Sequence, residues 1–307
     1  MTKRGAKTRS RRCWIGPFFV AAHTASGMVQ LPEASAALRE AFRPWGADAA
    51  AGITLFGGVT LLLFALSVWF WIGDRRKIAT VVSYAFVVLS VVLVLKTAFD
   101  APRPPAAVQL LTVESDPHAF PSGHAAAAAI VYGSLATVYD RLDRQGIAAV
   151  AVAVALVALS RVVLGVHYLG DVVAGVALGF GALAVLWRVV GQRPHIAFAA
   201  AVCCSGVALA LNAPERALAF GGSLGGLAGS LLLDRLPSPR SAVERAVLVA
   251  TGVPLLGAGT ELVAALHSLP LTVAGNAVVV GTVFALPLFV GALPIGQFQR
   301  SVAGTGD

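Results

Sequence analysis

The sequence predicts an all-α bundle of transmembrane helices, and three observations lead to this fold class. The 307 residues are 57% hydrophobic and only 12% charged, with a mean hydropathy of +0.81, which lies outside the balance of soluble domains. Several apolar runs reach the roughly 18 to 20 residues that a helix needs to cross a hydrocarbon core. The runs show no period of two, which favours a helical bundle over a β-barrel.

Nine apolar segments, separated by short polar loops, are predicted to cross the membrane. Five lie in the first 190 residues and four come after them. The predicted spans are 50–72, 78–99, 121–139, 147–166, 168–190, 195–211, 216–233, 243–266 and 271–292.

The first 49 residues carry two different patterns. MTKRGAKTRSRR, residues 1–12, precedes a modest apolar run, which fits a signal peptide, a signal anchor or a first span. Met28 is a second candidate for the start of translation. LPEASAALREAF, residues 31–42, places its apolar side chains on one side of a helix and predicts a short amphipathic helix at the membrane interface.

The formal charge of +8 reflects topology, because most basic residues lie in the short loops between apolar runs. Lys96, Arg103, Arg161 and Arg216 fall on one side of the predicted bundle. The positive-inside rule assigns the other side to the cytoplasm, since it holds Arg75, Arg76, Lys77, Arg141, Arg144, Arg188, Arg193, Arg235, Arg240, Arg245 and Arg300.

SRVVLGVHYLGD, residues 160–171, interrupts the apolar pattern with charged and titratable side chains. The apolar run ends near Arg161, Gly165 allows a turn, and the next run begins at about His167. A spacing of four residues places His167 and Asp171 on one helix face, where Asp171 can accept one imidazole proton and leave the other nitrogen free to attack. The helix start also attracts anions. Taken alone, the stretch equally fits an interfacial histidine capped by an aspartate.

PSGH, residues 121–124, stands directly before an alanine-rich apolar run. Proline suits a first helical turn, Ser122 is a capping residue type, and Gly123 lets a ligand approach the backbone closely. The stretch predicts a helix N-terminus whose free amides point at an anion, with His124 one step inside it.

KTAFDAPRP, residues 96–104, places Lys96 at the end of a span and Arg103 in a loop bounded by prolines. Each residue alone fits a snorkelling or solvated cation. Together with Arg161 on the same face, they supply three cations that match a phosphate and the charge of its transition state.

KTAFDAPRP, PSGH and SRVVLGVHYLGD resemble, in order and spacing, the three signature motifs of the type-2 phosphatidic acid phosphatase superfamily. That superfamily also includes vanadium haloperoxidases and glucose-6-phosphatase. Every signature position is filled, and the resemblance covers about residues 50–190. It implies a membrane phosphatase that hydrolyses a lipid phosphate or diphosphate through a phosphohistidine.

The resemblance implies a role for each matching residue. His167 would be the nucleophile, Asp171 would orient and charge it, and His124 would be the general acid and later the base that activates water. The residues alone leave open which histidine attacks. The phosphoryl oxygens would be held by Lys96, Arg103, Arg161, Ser122 and the amide of Gly123.

No metal ion or cofactor is expected. The outer face carries few carboxylates, and no pair of Asp or Glu residues has ligand spacing. Cys13, Cys203 and Cys204 show neither zinc spacing nor a disulfide framework. Three protein cations would take the place of a metal.

The expected organisation has four parts. Residues 1–49 form the basic N-terminal segment, with a signal anchor and an interfacial helix, and residues 50–190 form the phosphatase core, which is expected to have about six helices. Residues 191–296 form a C-terminal module of about four transmembrane helices, followed by a cytoplasmic tail, 297–307. We expect a multi-pass protein of the cell membrane, with the site facing outward. Its partners would be a lipid phosphate and the bilayer and not nucleic acid, and the sequence leaves a homo-oligomer open.

Two other functions are compatible with the sequence. A phosphotransferase of the same superfamily would pass the phosphate to a sugar or lipid alcohol. A transporter or scramblase would use the basic cluster only to bind a phosphate. The sequence also does not choose between a polyprenyl diphosphate and a phosphatidate-type lipid, whereas a haloperoxidase is disfavoured because its relatives are soluble.

Some residues outside the motifs carry weaker expectations. FGGSLGGLAGS, residues 220–230, has glycines at four-residue intervals, which favours close packing of helices within the chain over packing between protomers. His118 is expected to be a loop residue that contacts substrate. The carboxylates of the same loop, Asp100, Glu114 and Asp116, are expected to be solvated.

Overall fold

The computed structural model describes residues 30–42, 46–111, 116–237 and 241–293. Within these ranges the chain is α-helical apart from turns, short 3₁₀ helices and one isolated bridge between Pro102 and His118. The predicted all-α bundle is therefore confirmed. The predicted signal anchor and the predicted cytoplasmic tail lie outside the described residues.

Eleven α-helices occupy the described ranges, and they are numbered here in chain order. Their bounds are α1 Pro32–Phe42, α2 Ala47–Thr54, α3 Val59–Ile72, α4 Arg75–Phe99, α5 Gly123–Val138, α6 Arg144–Val163, α7 Leu169–Val189, α8 Pro194–Ala210, α9 Arg216–Ser230, α10 Ala242–Ala264 and α11 Leu269–Ala292.

Five of the described helices, α4, α6, α7, α10 and α11, are long and apolar enough to cross a membrane. The protein is therefore a multi-pass membrane protein. All nine predicted segments contain helix, but α5, α8 and α9 have only 16, 17 and 15 residues. The predicted spans 121–139 and 216–233 extend beyond α5 and α9, whereas the predicted span 195–211 differs from α8 by only one residue at each end.

The first predicted span, 50–72, is broken rather than continuous. A 3₁₀ turn, Leu55–Gly57, comes after α2, and Gly58 then takes an extended conformation with ψ of 133°. The chain bends by 53° at this break before α3 begins, so α2 and α3 count as a sixth span only if they are taken together.

The helix ends place the three motifs at one end of the bundle. At the far end, Asp74 accepts a hydrogen bond from the Lys77 amide at the start of α4, and Asp143 accepts one from the Gly146 amide at the start of α6. Because α4 and α6 run toward the site end and α5 and α7 run away from it, Lys96, PSGH and SRVVLGVHYLGD all meet there.

The C-terminal helices pack on this core through the glycine-rich α9. An added Cβ at Gly225 would lie 2.2 Å from the Ala277 carbonyl of α11, and one at Gly222 would lie 2.4 Å from the Phe86 ring of α4. Only a residue without a side chain permits this approach. The glycine pattern therefore serves packing within the chain, as predicted.

The predicted amphipathic helix over 31–42 is present as α1, which packs against α6 and α7. Its position at a membrane interface and the four domain boundaries stay predictions.

Candidate active site

A cavity of ≈ 630 Å³ lies where α4 and α6 end and α5 and α7 begin. Five predicted side chains line its polar end: Lys96, Arg103, His124, Arg161 and His167. These residues are up to 71 positions apart in the sequence, and the antiparallel helices bring them to one place. The cavity can hold a ligand much larger than a phosphate ion.

Lys96 lies in the last turn of α4 and is only 5% exposed. Its ammonium group pairs with the carboxylate of Asp116 and donates a 3.1 Å hydrogen bond to the His118 carbonyl. A buried lysine needs such partners, because desolvation of an unpaired charge is costly. The loop after α4 thus returns to fix the position of the lysine.

Arg103 is held from two sides of the cavity. Its Nε donates to the Asp116 carbonyl at 2.7 Å, and its Nη1 donates to the Val166 carbonyl at 2.8 Å. Nη1 also lies 3.4 Å from His167 Nε2. The guanidinium therefore sits beside the nitrogen that would face a substrate.

Arg161, near the end of α6, is 6% exposed and points into the same space. Its Nη1 donates a 2.7 Å hydrogen bond to the Thr54 hydroxyl, at the end of α2. Its Nε is buried without a hydrogen-bond partner. A bound anion would supply acceptors for donors of this kind.

His167 sits in the turn between α6 and α7, and its ring is almost wholly buried. Nδ1 lies 3.5 Å from Asp171 Oδ2, while Nε2 faces Arg103. Nδ1 has no hydrogen-bond partner, although the Asp171 carboxylate lies within ion-pair distance. With Nδ1 protonated toward Asp171, Nε2 would carry the free lone pair.

The environment keeps the His167 imidazole neutral. Burial lowers the pKa of His167 well below its usual value, and the nearby charges of Arg161, Lys96 and Arg103 lower it further. At neutral pH the ring is therefore unprotonated at one nitrogen. That form is the one able to act as a nucleophile.

The turn before His167 depends on Gly165. Its backbone has φ of +69°, and an added Cβ would lie 2.0 Å from the Val108 carbonyl. Both the left-handed conformation and the contact exclude a side chain. The turn places the Val166 carbonyl against Arg103.

His124 lies in the first turn of α5, and the break between α2 and α3 lies next to it. An added Cβ at Gly58 would lie 3.7 Å from His124 Nε2. Gly123 also lines the cavity, in agreement with its predicted place. Ser122 is fully buried, is not among the lining residues, and its Oγ has no hydrogen-bond partner.

The start of α7 is not open to an anion, contrary to the expectation from its sequence. The Leu169 amide donates to Ser35 Oγ at 2.8 Å, and the Gly170 amide donates to the Gln30 carbonyl at 3.2 Å. The Asp171 carboxylate accepts from the Tyr168 amide at 2.8 Å. Because its first amides are already paired, the start of α7 cannot bind an anion through them. Its contribution to the site is to position His167, which lies in the turn before it.

The comparison with family models identifies the domain that contains these residues. A model of the PAP2 superfamily matches residues 76–195. Over this segment the chain is similar to the PAP2 superfamily. The recognition based on the three motifs is therefore confirmed, and the match fits an activity of the phosphatase or phosphotransferase type. The searches of curated proteins and of solved structures gave no match.

The PAP2 segment contributes one buried carboxylate that sequence reasoning misplaced. Asp116, expected to be solvated, is 13% exposed at its side chain and pairs with both Lys96 and Arg103. Its Oδ1 also accepts from the His118 amide at 3.0 Å. The loop folds back toward the cations, which attract its carboxylate out of solvent.

The predictions for the other residues of that loop had different outcomes. Asp100 is 70% exposed, as expected, and its carboxylate lies 3.0 Å from His118 Nδ1. His118 is not among the residues that line the cavity, so its expected substrate contact finds no support. Glu114 lies outside the described residues.

Two polar residues that adjoin the cations of the site lie outside the matched PAP2 segment and outside the motifs. Thr54 precedes it and binds Arg161, while Glu215, before α9, shares the polar end with Lys96. Desolvation raises the pKa of Glu215, and the charge of Lys96 opposes that rise. No sequence signal marked either residue, because only tertiary packing brings it to the site.

The rest of the cavity is apolar and runs along α3. Leu62 and Leu66 of α3 face Val88 and Val92 of α4 across it. On the outer side of α3, Leu61 and Phe64 line the same cavity and are exposed. In a membrane protein, such a surface faces the hydrocarbon of the bilayer.

Among the described residues, no group of three His, Cys, Asp or Glu side chains has the arrangement of a metal site. The carboxylates near the cavity instead pair with protein cations.

Proposed function

We propose that the protein is a membrane phosphatase that hydrolyses the phosphomonoester or diphosphate of a lipid through a phosphohistidine. One observation carries this proposal: two histidines and three cations line one end of a cavity whose other end is apolar and reaches the bilayer side of α3.

The phosphoryl group would bind among the three cations. Lys96, Arg103 and Arg161 carry fixed positive charge in a largely buried site, where each charge acts more strongly than in water. The first amides of α5 at Gly123 and His124 would add partial positive charge. These groups can stabilise the charge on the equatorial oxygens of the transition state without a metal ion.

In the first step, His167 Nε2 would attack phosphorus, and the bond between phosphorus and the leaving oxygen would break. His124, as imidazolium, would give its proton to that oxygen, so the alcohol or phosphate leaves as a neutral or less charged group. The negative charge of the bound phosphate favours the imidazolium form. Asp171 would stabilise the positive charge that develops on His167.

In the second step, a water molecule would attack the phosphohistidine. His124, now neutral, would take one proton from this water, while the bond between phosphorus and His167 Nε2 breaks. The products are inorganic phosphate and the free enzyme. The proton on His124 then serves the next cycle.

The apolar half of the cavity supports a lipid substrate of the polyprenyl diphosphate or phosphatidate type. A chain lying along Leu62 and Leu66 would place its headgroup beside His124. The basic residues Arg75, Arg76 and Lys77 begin α4 at the opposite end of the bundle. By the positive-inside rule, this distribution supports a site on the extracytoplasmic side of the cell membrane.

The same geometry serves a phosphotransferase if an alcohol, rather than water, attacks the phosphohistidine. The match to the PAP2 superfamily fits both reactions. Product analysis with added acceptor alcohols separates them, because a transferase would form a new phosphate ester and release less phosphate.

The test is phosphate release by the purified protein in detergent from a panel of lipid phosphates and diphosphates, with a chelator present. We expect turnover by the wild type, inhibition by vanadate, and no turnover by His167→Ala. Vanadate adopts a trigonal bipyramidal form like that of the transition state. His195→Ala is the matched control, because His195 is an exposed histidine at the far end of the bundle.

Labelled phosphate on the protein should be acid-labile in the wild type and missing from His167→Ala. Hydrolysis that persists in His167→Ala would contradict the mechanism. Lipid movement across vesicles without any phosphate release would instead favour a scramblase.

A further inference from the structure

The helix α1 lies outside the matched PAP2 segment, yet it contacts the turn that carries His167. Ser35, in its first turn, is completely buried. Its Oγ donates to the Leu31 carbonyl at 2.7 Å and accepts a 2.8 Å hydrogen bond from the Leu169 amide. Leu169 lies two residues after His167 and opens α7.

Gln30, two residues before the start of α1, makes backbone and side-chain contacts in the same region and is 7% exposed. Its carbonyl accepts from the Gly170 amide at 3.2 Å, while its side-chain amide donates to the Pro102 carbonyl at 3.1 Å. Pro102 immediately precedes Arg103. Gln30 therefore joins the loop of a phosphate-binding cation to the helix of the candidate nucleophile.

These hydrogen bonds pair backbone N–H groups at the start of α7. The first amides of α7 have no partner within the helix and must be satisfied from outside. Ser35 and Gln30 satisfy two of them, although both residues are more than 130 positions away in sequence. The start of α7, and with it the spacing of His167 and Asp171, is thereby tied to α1.

We propose that Ser35 and Gln30 are positioning residues for the reaction, an inference that rests on the proposed function. Ser35 acts on the candidate nucleophile alone, through the start of α7. Gln30 acts on the nucleophile and, through Pro102, on Arg103. Neither side chain is among those that line the cavity. Ser35 acts through the backbone of Leu169, whereas the Gln30 side chain acts through the Pro102 carbonyl and through its hydrogen bond with the Asp171 carboxylate.

Steady-state kinetics should distinguish the effects of substituting Ser35 from those of substituting Gln30. Ser35→Ala leaves the Leu169 amide unpaired, so the attack geometry loosens while the cations stay in place. We expect its kcat to fall by about 10- to 100-fold with KM within about twofold of the wild type, since small displacements of a reacting group are costly. Formation of the phosphohistidine should slow by the same factor.

Gln30→Ala should raise KM by about three- to tenfold, because it frees the Pro102 carbonyl beside Arg103, and should lower kcat, because it removes the side-chain partner of Asp171. Gln30→Glu is an isosteric second variant that, like Gln30→Ala, keeps the backbone carbonyl contact with the Gly170 amide and removes the donor to Pro102. It should likewise raise KM.

Ser205→Ala is the matched control. Ser205 is also completely buried, but its Oγ contacts only carbonyls of its own helix, α8. It should keep the kcat and KM of the wild type. Ser35→Thr, which retains the hydroxyl oxygen, should restore most of the kcat lost in Ser35→Ala.

Thermal unfolding in detergent, recorded for every variant, separates positioning from loss of fold. If Ser35→Ala folds and has the same kcat as Ser205→Ala, the inference about positioning is overturned, but the proposed function is not. If Ser35→Ala does not fold, Gln30→Glu decides: an unchanged KM overturns the inference, and a raised KM supports it. A wild type that releases no phosphate overturns the proposed function and this inference with it.

Discussion

The PAP2 segment and the C-terminal helices are both apolar, but they bury their polar groups differently. In the PAP2 segment, buried Lys96, Arg161, His167 and Asp171 converge at one end of the bundle. In the C-terminal helices, buried serines such as Ser223 bond back to their own helix. Converging polar groups that are costly to bury mark a site, whereas serines bonded within their own helix mark packing.

The division is not complete, because Glu215 of the C-terminal part reaches the cavity, Glu244 of α10 is buried, and buried serines of the PAP2 segment such as Ser83 also bond to their own helix. Substitutions in each region, paired with matched controls, test how far the two regions differ in role. The largest effect is expected at His124 and the smallest at Glu215.

His124→Ala should lower kcat by about 100- to 10,000-fold, since it removes the proposed general acid and base. Phosphate release measures the loss. His267→Ala is the control from the C-terminal part, because His267 is exposed between α10 and α11. A similar loss in both variants would remove the distinction between the regions.

Arg161→Ala should weaken vanadate inhibition by about 10- to 150-fold, because a charged hydrogen-bond donor contributes about 1.5–3 kcal/mol. The inhibition constant measures this change. Arg216→Ala is the control, since Arg216 bonds to carbonyls of its own region, including that of Asn212. Unweakened inhibition in Arg161→Ala would place the phosphate elsewhere.

Gly225→Ala should reduce stability by about 1–3 kcal/mol, because the added methyl group overlaps the Ala277 carbonyl. The midpoint of thermal unfolding in detergent measures the change. At Gly257 an added Cβ meets nothing within 4 Å, so Gly257→Ala should be neutral or stabilising. Equal stability of the two variants would contradict the packing role of α9.

Glu215→Gln should lower KM for an anionic lipid by about two- to fivefold, the smallest of these effects. Removal of the carboxylate makes the cavity more positive, and a partly solvated charge contributes at most about 1 kcal/mol. Glu261→Gln, an exposed carboxylate of α10, should leave KM unchanged. A raised KM in Glu215→Gln would mean that this carboxylate binds the headgroup instead.

The sequence predicted the helices of the fold because each apolar run is locally readable, but it did not predict their interruptions. The break at Gly58 depends on α2 and α3 packing around Arg161 and His124. The four-residue spacing of glycines in α9 indicated its close packing, which the structure places against α11, but not that the helix ends at Ser230. Both segments therefore appeared as full spans.

The same limit applies to the site. The motif residues were predictable because the helix ends that carry them were predictable. Asp116 was misplaced because loop composition favoured solvent, whereas the cations of the folded site attract it. Ser35 and Thr54 are neutral side chains in short helices, and only the tertiary structure gives them partners among the motifs.

The two-ended cavity also bears on the fate of the products. Under the proposed reaction, the alcohol formed along α3 would remain dissolved in the lipid phase, while inorganic phosphate would escape to water. Once each product has partitioned into its own phase, their re-encounter at the enzyme becomes rare. The shape of the cavity would thus help make the reaction run in one direction.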